Sequence, residues 1–372
     1  MTGLPASAAT DSDGDGLRDT FETQGGVTSA NSPDSDGDGV FDPAEDSDGD
    51  RLSDRGEQRF GSLPGVRDSD GDGIPDGKED ADGDGRSNAV EQDHRPVPAH
   101  LRPTLAAAPT DFSPYKSDCQ ATHGSAAVVT CSYGPADSPV DLVLMGDSHA
   151  MQLTAPIKTV AEENGWRLTT LVKKACPPVL GVHNRAQRWV DDGASCRTWR
   201  RAALDWLEAR SPDHIIVAHS DAYAISTFDG QRIKGVHARA KAWRDGMKRT
   251  LSRMPRSAQV LVLGDIPYNR VNPVACLRKH PNNISKCVTS RRPLHKRTIE
   301  NAIEAGAKAR GARFRRFYSK VCSYDPCPII HGDILVFRDR GHLTATFADR
   351  LTPTFRKMLT TIISPAPARR RN

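Results

Sequence analysis

One serine stands where an apolar run gives way to a helical pattern. Residues 140–145 read Val-Asp-Leu-Val-Leu-Met, a short strand signal that ends in Gly146-Asp147-Ser148-His149. Behind it Leu153, Ile157, Val160 and Ala161 recur at helical spacing. At such a strand-to-helix turn the Ser148 hydroxyl is exposed, and nearby amides can stabilise an oxyanion. Near the other end the chain reads Phe337-Arg338-Asp339-Arg340-Gly341-His342-Leu343-Thr344. Asp339 and His342, three apart on one loop, can set a carboxylate on one imidazole nitrogen while the other faces a nucleophile. Ser148, His342 and Asp339 are thus candidate nucleophile, base and orienter for acyl-ester chemistry. The blander alternative makes Ser148 a helix cap and His342 a packing residue. His149 reads as a first-turn neighbour, not a base.

A second chemistry is ionic. Between residues 11 and 91 five loops repeat the pattern Asp-x-Asp-Gly-Asp-Gly, with acidic or amide side chains following at positions nine and twelve. The first loop offers Asp11, Asp13, Asp15, Asp19 and Glu22, and the second Asp34, Asp36, Asp38, Asp42 and Glu45. Asp46, Asp48, Asp50, Asp54 and Glu57 form the third, with Arg51 at position six in place of glycine. The fourth has Asp68, Asp70, Asp72, Asp76 and Glu79, and the fifth Asp80, Asp82, Asp84, Asn88 and Glu91. Ca²⁺ takes six to eight hard oxygen ligands, and alternate carboxylates on a curling loop point inward around one ion. A disordered acidic tail would scatter its carboxylates instead of keeping this phase. Helices on both sides of each loop, as in an EF-hand, have no room, because Glu45 abuts Asp46 and Glu79 abuts Asp80.

These two chemistries sit on differently charged parts of the chain. Residues 1–95 hold 25 Asp/Glu and 8 Lys/Arg, so the overall charge of +4 leaves a basic remainder. The acidic part has few Leu, Ile, Val or Phe and needs something other than a core to order it. Residues 93–112, rich in Pro and Ala, read as a semi-rigid linker. The basic part alternates strand signals (167–173, 214–219, 259–263, 313–318) with helical ones (196–209, 236–254, 294–309), which argues for a parallel sheet with helices on both faces. Pro353 is expected to break or kink the last helix. All eight cysteines lie there, at 119, 131, 176, 196, 276, 287, 322 and 327. Their four local pairs predict four disulfides and an oxidising, extracytoplasmic compartment. Residues 1–10 contain no signal-peptide pattern, and no apolar run reaches 18 residues. Arg-rich stretches without interleaved aromatics or a reader motif argue against a nucleic-acid partner.

Taken together, Gly-Asp-Ser-His-Ala at 146–150, Ala175-Cys176-Pro177-Pro178, Cys196-x-x-Trp199, the cysteines 322 and 327 and the closing Asp-x-x-His-Leu-Thr resemble the SGNH hydrolase superfamily. The likeness is specifically to the SGNH domain fused to acyltransferase-3 proteins, over about residues 115–362. It implies a flavodoxin-like three-layer α/β sandwich with a parallel sheet, here residues 113–364. It further implies a Ser148, His342 and Asp339 triad, no cofactor for catalysis, and acyl esters of envelope polysaccharides as substrates. Either water or a sugar hydroxyl then receives the acyl group, transfer requiring a membrane acyltransferase as partner. The family's oxyanion-hole asparagine is not found after the third strand, where the chain reads Val217-Ala218-His219-Ser220-Asp221. A calcium-dependent surface or adhesion protein that only binds glycan is the competing reading. The acidic loops, residues 11–92, resemble thrombospondin type 3 repeats, which implies an irregular stalk organised by structural Ca²⁺.

Overall fold

A computed structural model describes residues 10–114, 118–185, 191, 193–227, 230–290 and 297–363. The leader question at residues 1–9, the start of the helix expected at 294 and residue 364 lie outside them. The chain divides into two compact units. Met1–Thr110, Asn269–Leu294 and Ser319–Arg340 form one; Asp111–Tyr268, His295–Tyr318 and Gly341–Asn372 form the other.

In the first unit hydrogen bonds and acidic side chains do much of the work of a core. The position-one aspartate of each loop accepts from amides three to five residues on, as Asp11 does from Gly14 (2.9 Å) and Gly16 (3.1 Å). Position nine is fixed by position two: the Ser35 amide and hydroxyl both donate to Asp42, and Ser69 does the same to Asp76. Loops one and three, followed by the long spacer, exit into helices α1 (Asp19–Gly25) and α2 (Asp54–Phe60). Loops two and four exit into single 3-10 turns at Asp42–Ala44 and Asp76–Lys78, and the fifth into α3 (Asn88–Glu91). Scarce as they are, Leu17, Val40 and Leu52 are buried. Gln92 ties the array together, accepting from the Ser53 amide and donating to the Arg51 and Ala89 carbonyls. Residues 93–110 are hydrogen-bonded to later segments: Arg102 pairs with Asp333 at 2.8 Å, and the Val97 amide donates to Pro281.

In the second unit six strands form one sheet: β1 (Thr130–Tyr133), β2 (Asp141–Gly146), β3 (Arg167–Val172), β5 (His214–Ala218), β7 (Gln259–Leu263) and β8 (Arg313–Arg315). A two-stranded ribbon of β4 (His183–Asn184) and β6 (Ile225–Ser226) stands apart. The order is β1-β3-β2-β5-β7-β8, with every pairing parallel except β1 against β3. Both faces are covered, so the strands read as continuous apolar runs. Val143 and Met145 join a core with Trp199, Leu204, Trp243, Met247 and Ile303 from α6 (Ala194–Arg210), α7 (Val236–Leu251) and α8 (Arg297–Lys308). Leu142 and Leu144, alternating with them, turn to the opposite face. The terminal helix is broken at Leu351 into Ala345–Arg350 and Thr352–Ile362, with Pro353 in the first turn of the second piece. There its missing N–H costs no helical hydrogen bond.

Three of the expected disulfides form: Cys119–Cys131, Cys176–Cys196 and Cys276–Cys287. The fourth does not. Cys322 and Cys327 are buried thiols, because the turn between them directs the Cys322 thiol to the Tyr324 carbonyl while the Cys327 amide pairs with Thr289. No helix among the described residues is long and apolar enough to cross a membrane.

Arg51 holds the left-handed backbone of its loop, φ 90°, that glycine supplies at the same position elsewhere, and its amide still caps Asp46. Only glycine adopts this conformation without steric cost. Arg51→Gly is therefore expected to stabilise the first unit by about 1 kcal/mol, read as a raised thermal midpoint; an unchanged or lowered midpoint contradicts the strain.

Candidate active site

Ser148 opens α4 (Ser148–Met151) at the carboxyl end of β2, in the middle of the sheet, where ligand sites of open α/β folds lie. Gly146 makes the turn possible. A Cβ there would sit 1.8 Å from the Ala218 carbonyl oxygen and 2.6 Å from the Ala150 Cβ. Asp147, fully buried, caps the turn: its carboxylate accepts from the His149 amide (2.9 Å), the Ser220 amide (3.1 Å) and the Tyr223 hydroxyl (2.9 Å). Burial and the neighbouring Asp147 charge push the Tyr223 phenol well above its ordinary pKa, so it stays a donor.

From the far end of the sequence His342 brings Nε2 to 2.9 Å from the Ser148 Oγ. The loop carrying it is pinned by the Leu343 amide donating to the Gln152 Oε1 at 2.8 Å. His149 lies edge-on to His342, with ring centroids 5.1 Å apart, and its Nδ1 is 2.6 Å from Asp265 Oδ1. Asp265 stands just beyond β7 and also accepts from the Asp221 and Ile266 amides. Burial alone would raise its pKa; the His149 ring and the Asp221 amide outweigh that and hold it below the usual carboxylate range. Burial lowers the pKa of His219, which stacks on Trp243 at 4.9 Å and 4°. His219 follows β5 in the segment where the SGNH resemblance leads one to expect an asparagine. With the His149 and Ser220 amides committed to Asp147, the Ser148 amide is the donor left at the turn.

The structure brings Ser148 and His342 together. The Asp339 carboxylate lies 3.4 Å from the Arg338 guanidinium. Tyr223, Gln152 and Asp265 were not singled out in the sequence, and His149 only as a first-turn neighbour. A signal existed only for Asp265, a carboxylate at the end of a parallel strand.

In the acidic loops, the carboxylates Asp11, Asp13 and Asp15 approach within 4.8 Å of one another, as do Asp34, Asp36 and Asp38, and Asp46, Asp48 and Asp50. Two further groups join neighbouring loops: Asp15 and Glu22 with Asp42, and Asp48 and Glu57 with Asp76. Glu22 and Glu57 are buried, and neither carboxylate oxygen of either has a hydrogen-bond partner. Burial and then the surrounding carboxylates push Glu57 up to about 10 and Glu45 to about 8. Orphaned buried acids crowded by like charges are the surroundings that a bound cation would compensate. Arg51 leaves its loop intact, and Asn88 is turned to the chain, its side chain accepting from the Ala81 amide and donating to the Asp76 carbonyl.

A serine hydroxyl on an imidazole nitrogen, at the central strand end of an α/β sheet, is an arrangement suited to acyl transfer. The SGNH domain (fused to AT3 domains) matches residues 118–357, and the chain belongs to that family. It is an acyl-ester hydrolase or acyltransferase of the SGNH type. Among solved structures the fold is similar to the periplasmic domain of a lipopolysaccharide acetyltransferase from Salmonella ser. Paratyphi A. That match has 17% identity, covers 61% of this chain and 85% of the other, and has a TM-score of 0.47. Est24, a carbohydrate acetylesterase from Sinorhizobium meliloti, is similar at 14% identity, over 60% of this chain and 100% of the other, with a TM-score of 0.36. No curated protein matches the sequence.

Gly146→Ala is expected to lower kcat/KM on a chromogenic acetyl ester by at least about 10²-fold, because a displacement of about 1 Å at the reacting atom costs that much. Asp265→Ala should cost about 3 kcal/mol of stability by leaving His149 without its buried partner, measured as a shift of the denaturation midpoint. A midpoint matching the unsubstituted protein would show that the pair carries no such weight.

Proposed function

We propose that this protein is an extracytoplasmic serine esterase that removes acetyl or other short acyl groups from the sugar hydroxyls of envelope glycans. The observation carrying the assignment is the 2.9 Å hydrogen bond between Ser148 Oγ and His342 Nε2. Ser148 Oγ attacks the ester carbonyl carbon as its proton passes to His342 Nε2. The tetrahedral oxyanion is met by the Ser148 amide. Collapse breaks the bond to the sugar oxygen, which takes the proton from His342 and leaves as a free hydroxyl. Water, deprotonated by the same nitrogen, then cleaves the acyl-serine and releases the carboxylic acid. Asp339, three residues before His342 in the chain, takes the role of orienting the imidazole. Three disulfides support placement in an oxidising compartment.

The family's fusion to AT3 domains favours a second reading, in which a membrane acyltransferase supplies the acyl group and a sugar hydroxyl replaces water. The repeats, in either case, hold structural Ca²⁺ through the position one, three, five and twelve carboxylates. Asp42 and Asp76 lend a ligand to the loop before their own, and the resemblance to thrombospondin type 3 repeats agrees with such an arrangement.

Ser148→Ala should abolish turnover of a chromogenic acetyl ester with no change in unfolding, and Asp339→Asn should slow it roughly 10²–10⁴-fold. Full activity in Ser148→Ala refutes the nucleophile. Incubation with an activated acetyl donor and oligosaccharides, followed by mass spectrometry, should yield free acetate in excess; a clear excess of acetylated sugar makes the protein a transferase. Calorimetry should register uptake of several Ca²⁺ with Kd of about 10⁻⁴–10⁻³ M, diminished in Glu57→Gln. Absence of uptake removes calcium from the repeats.

A further inference from the structure

Away from Ser148 the second unit holds a cavity of 610 Å³ whose polar lining is strongly basic. Arg197, Arg200 and Arg201, on one face of the first two turns of α6, meet Leu180, Gly181 and His183 around it. Among the described residues that line it there is no carboxylate. Beside the lining segment Arg249 donates to the Leu180 carbonyl at 3.0 Å and stands where a Gly181 side chain would be.

Arg200 is the residue that asks for a ligand. It is 2% exposed, yet among the described residues its hydrogen bonds go only to neutral groups: Nη1 to the Val179 carbonyl at 2.6 Å and Nη2 to the Cys196 sulfur at 3.2 Å. Its buried Nε has no partner. Burial, and then the like charge of Arg197, lower its pKa to about 9; no acid counters them. A guanidinium taken out of water without a counter-ion is unfavourable, and the like charge of Arg197 adds to the cost. An oxyanion entering the cavity would relieve both terms through charge-assisted, fork-shaped hydrogen bonds.

One wall of the cavity belongs to a strand paired with the segment that leads from Tyr223. His183 lies on β4, which pairs with β6 through His183↔Ser226 and Asn184↔Ile225. Two residues before β6, Tyr223 donates to Asp147, the neighbour of Ser148. The cavity wall and the segment that holds Asp147 are thus joined through the β4–β6 ribbon.

We propose that this cavity binds an oxyanion, a carboxylate or phosphate, carried by the glycan substrate, with Arg200, Arg197 and Arg201 as its ligands. The proposal rests on the esterase reading for the identity of the carrier and makes the substrate an acidic glycan.

The test uses the full chain, wild type and an Arg197→Gln/Arg201→Gln double variant that leaves the buried Arg200 in place. Calorimetric titrations with trigalacturonate, inorganic phosphate and neutral maltotriose are paired with turnover of a neutral chromogenic acetyl ester. Trigalacturonate should bind the wild type, the double variant should bind it at least about tenfold more weakly, and maltotriose should not bind. On acetylated trigalacturonate the variant should show a KM raised by a similar factor at unchanged kcat, with neutral-ester turnover equal to wild type. Equal trigalacturonate affinity in both proteins, or none in a folded wild type, overturns the proposal. Binding of phosphate without trigalacturonate overturns the glycan as carrier. Uronate binding that depends on these arginines in a protein with no ester turnover would refute the esterase while retaining the site. Intact turnover without uronate binding does the reverse.

Discussion

The space between Gly146 and Ala218 sets the conditions for the rest of the catalytic unit. Where β2 ends, the backbone passes so close to its parallel neighbour that no side chain fits, and only so can the chain turn at once into α4. Asp147 then reaches the Ser220 amide beyond β5, Ser148 is left at the strand end, and Ala150 packs beneath. With a larger residue at 146 the two strands would part. The sheet order supplies the rest: β2 is central, so the ends of β5 and β7 flank it or lie one strand away and deliver Tyr223 and Asp265 to the same place.

Much of this was readable from residue order. The strand signals at 140–145, 167–173, 214–219 and 259–263 matched strands nearly residue for residue, because continuous apolar runs bounded by turns are what a doubly covered parallel sheet demands. At 313–318 only three residues form a strand, Arg313–Arg315, where one buried Phe314 alternates with exposed arginines at the sheet edge. Ser148 and His342 were legible from local motifs, although 194 residues separate them. Tyr223 and Gln152 were not: each is an ordinary residue whose importance comes from a hydrogen bond formed in three dimensions. The cysteines failed in the opposite sense. Short spacing predicted Cys322–Cys327, but closeness in sequence does not orient two Cβ vectors toward each other.

The two units also show two ways of ordering a chain. In the second, large apolar side chains such as Trp199, Trp243 and Phe355 are fully buried and the polar groups are positioned around them. In the first, aspartates organise each turn by accepting backbone amides, and the carboxylates so gathered repel one another. Hydrophobic burial gives a fold that depends little on ionic conditions, whereas a lattice of acids is tied to whatever cation balances it. Sequence composition announces this difference clearly, because scarcity of Leu, Ile, Val and Phe leaves electrostatics as the available glue.

Around the nucleophile, burial and charge are handled together. Asp147 and Asp265 are both shielded from solvent, and each receives several N–H or O–H donors, so neither relies on water. Burial would otherwise favour a neutral Asp265, yet the His149 ring and the amide of Asp221 hold it in the charged form. His149 in turn lies edge-on to His342. The His342 imidazole beside Ser148 therefore has as its neighbour a ring already bonded to a carboxylate. A base works best when nothing nearby competes for the nucleophile's proton and its orientation is set before substrate arrives. The His149–Asp265 pair engages the second imidazole, and His342 is the ring that faces the Ser148 hydroxyl.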